Sequence, residues 1–169
     1  MIKHSSNEED PAMHDPLSRC SWCNLSNRDR QWLLFETESW SVFLADEQDY
    51  IGRCMLVCKR HCAALSDLTT QEWTDLKQAV DRIEACLKTA LHADLCNWSC
   101  LMNSFYKSDP PDPHLHLHVR PRCKQPVLLN GSAYPDAEFA HHYDPKKKSV
   151  LREEDRMALF KHLKAHLPL

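Results

Sequence analysis

Three histidines at alternate positions, His114-Leu-His116-Leu-His118, are the residues whose type and spacing carry the most chemistry. A strand repeats every two residues, so the imidazoles project from one face about 6.5 to 7 Å apart while Leu115, Leu117 and Val119 take the core side. Imidazole can be nucleophile, acid, base or metal ligand near neutral pH, and a row of three implies a phosphate or metal site. Exposed strand faces ordinarily use Thr, Lys or Glu, which counts against a solvated strand that merely happens to be rich in histidine. A second cluster, Cys20-Ser-Trp-Cys23, places two thiols on one tight turn. Such a pair belongs either to a zinc site or to a redox motif; a redox pair usually precedes a helix in a βαβ unit, a pattern absent here.

Composition narrows the available phosphate chemistry. With two glycines and ten prolines in 169 residues, the chain cannot build a glycine-rich phosphate loop, so phosphate recognition must rest on side chains. A net charge of −3 and a pI near 6.4 give no electrostatic reason to expect duplex nucleic acid or an anionic membrane as partner. No window approaches the roughly 18 uninterrupted apolar residues of a membrane-spanning helix. Nine cysteines are an odd count, and no N-terminal apolar stretch resembles a secretory signal, so a cytoplasmic protein with free thiols is expected. Cys54, Cys58, Cys62, Cys86, Cys96, Cys100 and Cys123 read as small buried fillers.

The elements that must position these residues follow from period and punctuation. Residues 1–18 are polar, proline-containing and aperiodic, which predicts a disordered tail before a folded domain over residues 19–169. Residues 32–36 and 40–45 read as paired strands and residues 52–58 as a buried third. Trp73, Leu76, Val80, Ile83, Leu87 and Leu91 recur at steps of three and four, predicting a helix over residues 70–91 with Thr69 and Glu72 as its capping box. Strands are predicted at 98–104, 114–119 and 126–129, with Ser108 to Pro113 (SDPPDP) as a non-helical loop. Ser149 is the predicted cap of a last helix through residue 163, with Glu153, Glu154 and Asp155 near its N-terminus. These elements describe an α+β domain: an antiparallel sheet with a long helix packed on it and a C-terminal strand and helix.

The segment PHLHLHVRPR, residues 113–122, resembles the His-x-His-x-His signature of the histidine-triad (HIT) superfamily, and the likeness extends over residues 20–123. Residues 52–61 (GRCMLVCKRH), then Leu65-Ser-Asp-Leu68 and the capped helix, are similar to the family's strand, Lys-x-His and helix segment. Asn103 stands eleven residues before His114, at the offset of the family's supporting asparagine. The resemblance is to the zinc-bearing bacterial-type branch. It implies a HIT-like sheet and a nucleotide hydrolase or nucleotidyltransferase acting on the α-phosphate of a dinucleoside polyphosphate, a phosphoramidate or an adenylylated compound. His116 would be the nucleophile, forming a covalent nucleotidyl-histidine while its other nitrogen donates to a backbone carbonyl. His118 would donate to a nonbridging or leaving oxygen, and Asn103 would fix the phosphate. The resemblance also implies a closed, structural zinc site of Cys20, Cys23, His61 and His114, as in zinc-bearing triad proteins and galactose-1-phosphate uridylyltransferases, and a homodimer with sheets joined across a two-fold axis.

The chain departs from the family just before the triad, where Pro110 and Pro111 replace residues with an N–H to offer the phosphate. Arg53, Lys107 and Ser108 are the candidate replacement donors, and Arg53 falls where many relatives carry a further active-site histidine. The family's ribose-binding acid aligns without a gap to Ala45 and with a one-residue shift to Asp46, which is the candidate. Trp32 and Trp40 are either base-stacking or, by preference, core residues. His141-His142 reads as a surface pair, and Lys146-Lys-Lys148 as a solvated run. Two other functions compete: a nucleotide-binding module of the same fold without turnover, and a zinc-dependent interaction protein or DNA-repair adaptor, against which the absence of a basic stripe counts.

Overall fold

The computed structural model describes residues 20–168; the stretch read as a tail, residues 1–18, lies outside them. A helical turn α1 (Asn27–Arg30) leads into strands β1 (Leu33–Glu36), β2 (Trp40–Leu44) and β3 (Cys54–Cys58). The long helix α2 (Thr70–Leu91) follows, then β4 (Leu95–Ser99) and β5 (His116–Arg122). A hairpin of β6 (Val127–Leu129) and β7 (Ser132–Tyr134) precedes the terminal helix α3 (Glu153–Ala165). The first five strands form one antiparallel sheet in the order β1-β2-β3-β5-β4. The α+β architecture predicted from the sequence is the one observed.

Alternation divides the sheet. Val42, Leu44, Leu56, Leu115 and Val119 enter the core with α2 and α3, and the triad histidines take the opposite face. Helix α2 begins where its capping box predicts: Thr69 Oγ1 accepts from the Glu72 amide at 3.2 Å, and the Glu72 carboxylate accepts from the Thr69 amide at 2.8 Å. Its buried stripe is Leu76, Ala79, Ile83, Cys86, Leu87 and Ala90, while Trp73, placed in the stripe by spacing, is 46% exposed. Glu72 also receives both arms of the Arg60 fork at 2.7 and 2.8 Å, which ties the chain beside His61 to the helix. The guanidinium holds the Glu72 carboxyl down at about 2.

Four elements differ from expectation. Strand β5 runs through Pro121 to Arg122, beyond the predicted end at 119. Pairing with β3 stops at Cys54↔Val119 while β4 continues to Leu95↔Arg122, so the proline costs no bond to β3. The strand expected at 98–104 lies earlier, and residues 103–107 form a 3-10 turn instead. The strand at 126–129 is one arm of a hairpin whose turn, Asn130-Gly131, has positive φ at both residues, the conformation that Asn-Gly favours. Ser149 does not cap α3: the helix starts at Glu153 after Arg152, and the Ser149 carbonyl instead accepts from the Gln48 amide at 2.7 Å.

Gly52 makes the turn into β3 at φ +92°, and a Cβ there would sit 2.3 Å from Leu91 Cδ1 and 3.0 Å from Pro121. Gly52→Ala combines backbone strain with overpacking and is expected to lower stability by about 2 kcal/mol or more, read as a shift of the urea midpoint.

Candidate functional site

Strand β5 and the turn at residues 20–24 meet at His114. Leu115 holds the approach to the strand: its amide donates to the Cys62 carbonyl at 2.8 Å, and its carbonyl accepts from the Cys58 amide at 3.1 Å. The His114 ring then lies 3.2 Å by Nδ1 from Cys20 Sγ and 3.6 Å from Cys23 Sγ, while His61 Nδ1 is 3.4 Å from Cys23 Sγ. All four donor atoms fall within 4.8 Å of one another. A tetrahedral zinc with ordinary bond lengths would set such donors about 3.3 to 3.8 Å apart, so the residues fit the ion. The outer nitrogens are also satisfied: His114 Nε2 donates to the Cys58 carbonyl at 2.6 Å, and His61 Nε2 lies 3.1 Å from Asp112 Oδ1. Both bonds leave Nδ1 free to ligate. The four ligands proposed from the sequence are thus together, and Asp112, which the sequence reading left unassigned within the proline loop, is their neighbour.

The next two histidines carry opposite tautomers, because their partners allow only one hydrogen position each. A carbonyl can only accept, so His116 Nδ1, 2.9 Å from the His114 carbonyl, holds the proton and Nε2 has a bare lone pair. A guanidinium can only donate, so His118 Nδ1, 3.3 Å from Arg53 Nη2, is bare and Nε2 carries the proton. The two rings stand edge to face with centroids 4.9 Å apart. Burial, aided by the Arg53 charge, lowers the pKa of His116, and the bond to the His114 carbonyl opposes it. His118 falls further, to about 3, through burial first and then the charges of Arg53, His116 and Arg120. Both rings are neutral near pH 7.

Arg53 was expected to reach phosphate. Here its guanidinium is held by Asp49 at 3.1 Å and Glu47 at 3.2 Å, facing His118. Asp49 also holds Arg120 at 2.8 Å, two residues beyond His118 on the same strand face. The remaining expected residues do not converge on the triad. Asn103, Lys107 and Ser108 are exposed on or beside the 3-10 turn, and no hydrogen bond among the described residues joins Asn103 to a histidine. The same turn brings Phe105 to His116 instead, with ring centroids 5.6 Å apart. Trp22, between the two cysteines, flanks the other side at 6.2 Å, leaving His116 4% exposed. Asp46 is exposed and ion-paired with Arg156 at 2.5 Å. Trp40 is core, donating to the Glu72 carbonyl, whereas Trp32 carries Arg156 on its face.

Beside the triad a cavity of about 340 Å³ opens across β3 and β2, lined by Trp22, Phe43, Met55, Trp32, Asp46 and Arg156 among others. Met55 is the partner of His118 in the β3–β5 register and of Phe43 in the β2–β3 register, so the cavity begins next to the triad.

A family model of the HIT domain matches residues 28–125, more than half of the 169-residue chain. The chain belongs to the HIT-domain family. Three solved structures illustrate the fold of this HIT protein. A hypothetical histidine triad nucleotide-binding protein from Sulfolobus tokodaii strain 7 is 18% identical, with 87% of this chain and 91% of that one covered and a TM-score of 0.58. A zinc-bound histidine triad family protein from Mycobacterium smegmatis is 21% identical, with 79% and 84% covered and a TM-score of 0.51. A uridylyltransferase is 16% identical, with 88% of this chain but 46% of that one covered and a TM-score of 0.59, so this HIT protein spans under half of its length. At these identities the likeness is one of fold. No curated protein matches the chain in sequence. No helix among the described residues is long and apolar enough to cross a membrane.

Two outcomes follow from this geometry. Asp112 orients His61, so Asp112→Asn should weaken zinc affinity by about tenfold to a hundredfold, read by competition with a chromophoric chelator, with the fold retained. His118 has a folded pKa near 3 against an ordinary 6.5. The unfolded chain therefore binds the extra proton first, and this contribution to stability is complete above about pH 6.5 and drains away as pH falls toward 3. Urea midpoints between pH 7.5 and 4.5 should fall more steeply in the wild type than in His118→Gln.

Proposed function

We propose that this HIT protein is a nucleotide hydrolase or nucleotidyltransferase in which His116 attacks the α-phosphorus of a nucleoside phosphate. The observation that carries this reading is a pair of contacts, His116 Nδ1 with the His114 carbonyl and His118 Nδ1 with the Arg53 guanidinium, which together call for a bare Nε2 on His116 next to an Nε2–H on His118. In the first step the Nε2 lone pair forms the N–P bond, the bond from phosphorus to the leaving oxygen breaks, and the leaving group departs with that electron pair. The imidazole then carries a positive charge, stabilised by its Nδ1–H bond to the His114 carbonyl. In the second step the oxygen of water, or of another acceptor, attacks phosphorus. The N–P pair returns to Nε2, and the acceptor's proton passes to solvent or to the nucleotide.

His118 gives a hydrogen bond and no proton, since a neutral imidazole that lost its Nε2–H would become an anion. Leaving groups that depart as stable anions therefore suit the site best, and Arg53 beside His118 favours negative charge there. A phosphoanhydride, such as a dinucleoside polyphosphate, meets both conditions better than a phosphoramidate, whose amine must be protonated as it leaves. Zinc on Cys20, Cys23, His61 and His114 would have no open position and would serve to hold the triad strand against the turn at residues 20–24. The HIT-domain match and the fold shared with a uridylyltransferase support the reading.

A binding module without turnover is favoured by one observation, the exposure of Asn103 away from the triad. Rapid quench with an α-labelled dinucleoside polyphosphate separates the two. The expected result is an acid-labile, base-stable adduct on His116, with His116→Ala losing the label and at least about a thousandfold of turnover. Label on another residue, or near-normal turnover in His116→Ala, overturns the mechanism; a wild type that binds nucleotide but neither labels nor turns over makes the module the better reading.

A further inference from the structure

The cavity beside the triad is walled at its far end by a residue from the C-terminal helix. Arg156 reaches from α3 to the sheet, where Nη2 donates to the Leu44 carbonyl at 3.3 Å and to Asp46 at 2.5 Å, and its guanidinium carbon lies 3.8 Å from the centroid of the Trp32 ring. Stacking on the indole and the ion pair fix the plane of the guanidinium. Its Nε is buried and has no acceptor, and no hydrogen bond among the described residues uses Nη1. Nη2 is taken by Leu44 and Asp46 and Nε is closed off, so Nη1 is the donor left open to a ligand acceptor.

Position says which part of a ligand would meet it. Leu44 is on β2, next to Phe43, which stands two strands across from His118 in the order β2-β3-β5, a span of about 10 Å from His118. A nucleoside monophosphate with its phosphorus between His116 and His118 can cross that span, placing its base, and not its ribose, at Arg156 and against the aromatic wall that Trp22 and Phe43 form together. A guanidinium has donors only. It matches ring carbonyls, such as O6 of guanine beside N7 or O4 of uracil, and it faces the N6 amino group of adenine donor to donor, while cytosine presents both an amino group and the O2 carbonyl.

We infer that Arg156 is the specificity-determining residue of the nucleoside pocket, selecting guanine and uracil nucleotides over those of adenine. This rests on the nucleotide reading above and adds the identity of the base. It also gives Asp46 a role different from the one expected of it: the carboxylate orients Arg156.

Calorimetric titration of the zinc-loaded full chain with GMP, UMP, AMP and CMP tests it. GMP and UMP are expected to bind at least about tenfold tighter than AMP, with CMP between them. Arg156→Met should level the series, and Arg156→Gln, whose amide can pair with N6 and N7 of adenine, should turn it toward AMP, with melting temperature and zinc content checked for both. Equal affinity for all four in the wild type overturns the inference while leaving the nucleotide reading in place. Persistence of the preference in Arg156→Met overturns it too, since another residue then reads the base. If none of the four binds, the nucleotide reading itself fails and the inference falls with it.

Discussion

His114 is held at three points, and the chemistry of its neighbours depends on all three. Its Nδ1 faces two thiols, its Nε2–H is tied to the Cys58 carbonyl, and its own carbonyl receives the Nδ1–H of His116. A carbonyl that could rotate would not hold one tautomer on the next ring, so the bare Nε2 lone pair of His116 is a consequence of backbone rigidity one step away. That rigidity comes from the β3 side, where the Leu115 amide and carbonyl are both bonded to the Cys58–Cys62 stretch. The same stretch carries His61 and is clamped to the start of α2 by the Arg60–Glu72 fork. Helix, sheet and the Cys–His cluster are therefore one mechanical unit.

A second constraint is electrostatic. Beyond the three imidazoles, the same face of β5 continues with Arg120 and Arg122, and Arg53 joins from beside β3. Burying this many cations is tolerable only if each is matched, and each is: Asp49 bridges Arg53 and Arg120, and Asp136 takes Arg122 in a two-pronged pair. What reaches His118 is a residual positive potential in a dry setting. It keeps the ring neutral and the surroundings receptive to negative charge. One arrangement thus produces both the low pKa and a face receptive to negative charge.

Much of this was legible in the sequence wherever a local rule applied. Period two placed the triad on one face, the Thr69–Glu72 spacing gave the start of α2 to the residue, and the Cys-x-x-Cys turn with its resemblance to the HIT family gave the four metal-site residues. The Asn130-Gly131 hairpin was readable by the same kind of rule and was missed. Other features depend on contacts that no spacing encodes. Arg156 meets Asp46 from 110 residues away, and Asp112 reaches His61 across the fold. Arg53 lies beside His118 because its position is set by β3, whereas its direction is set by Asp49 and Glu47, which no spacing encodes. Helix α3 started later than expected because the Ser149 carbonyl is used by Gln48, a bond between distant segments.

The cysteines of the metal cluster also bear on how the chain is stapled. None of the nine cysteines is in a disulfide, so no covalent cross-link shortens the loops of the unfolded chain. Yet Cys20 and His114 are 94 residues apart and end in contact. An ion gripping both would close a loop of that length, and in the chain-entropy view a permanent closure of such size removes about 4 to 5 kcal/mol of freedom from the denatured ensemble. A metal tie differs from a disulfide in being reversible and indifferent to thiol reductants. In a reducing environment it offers this domain a topological fastening that the same cysteines could not provide by oxidation.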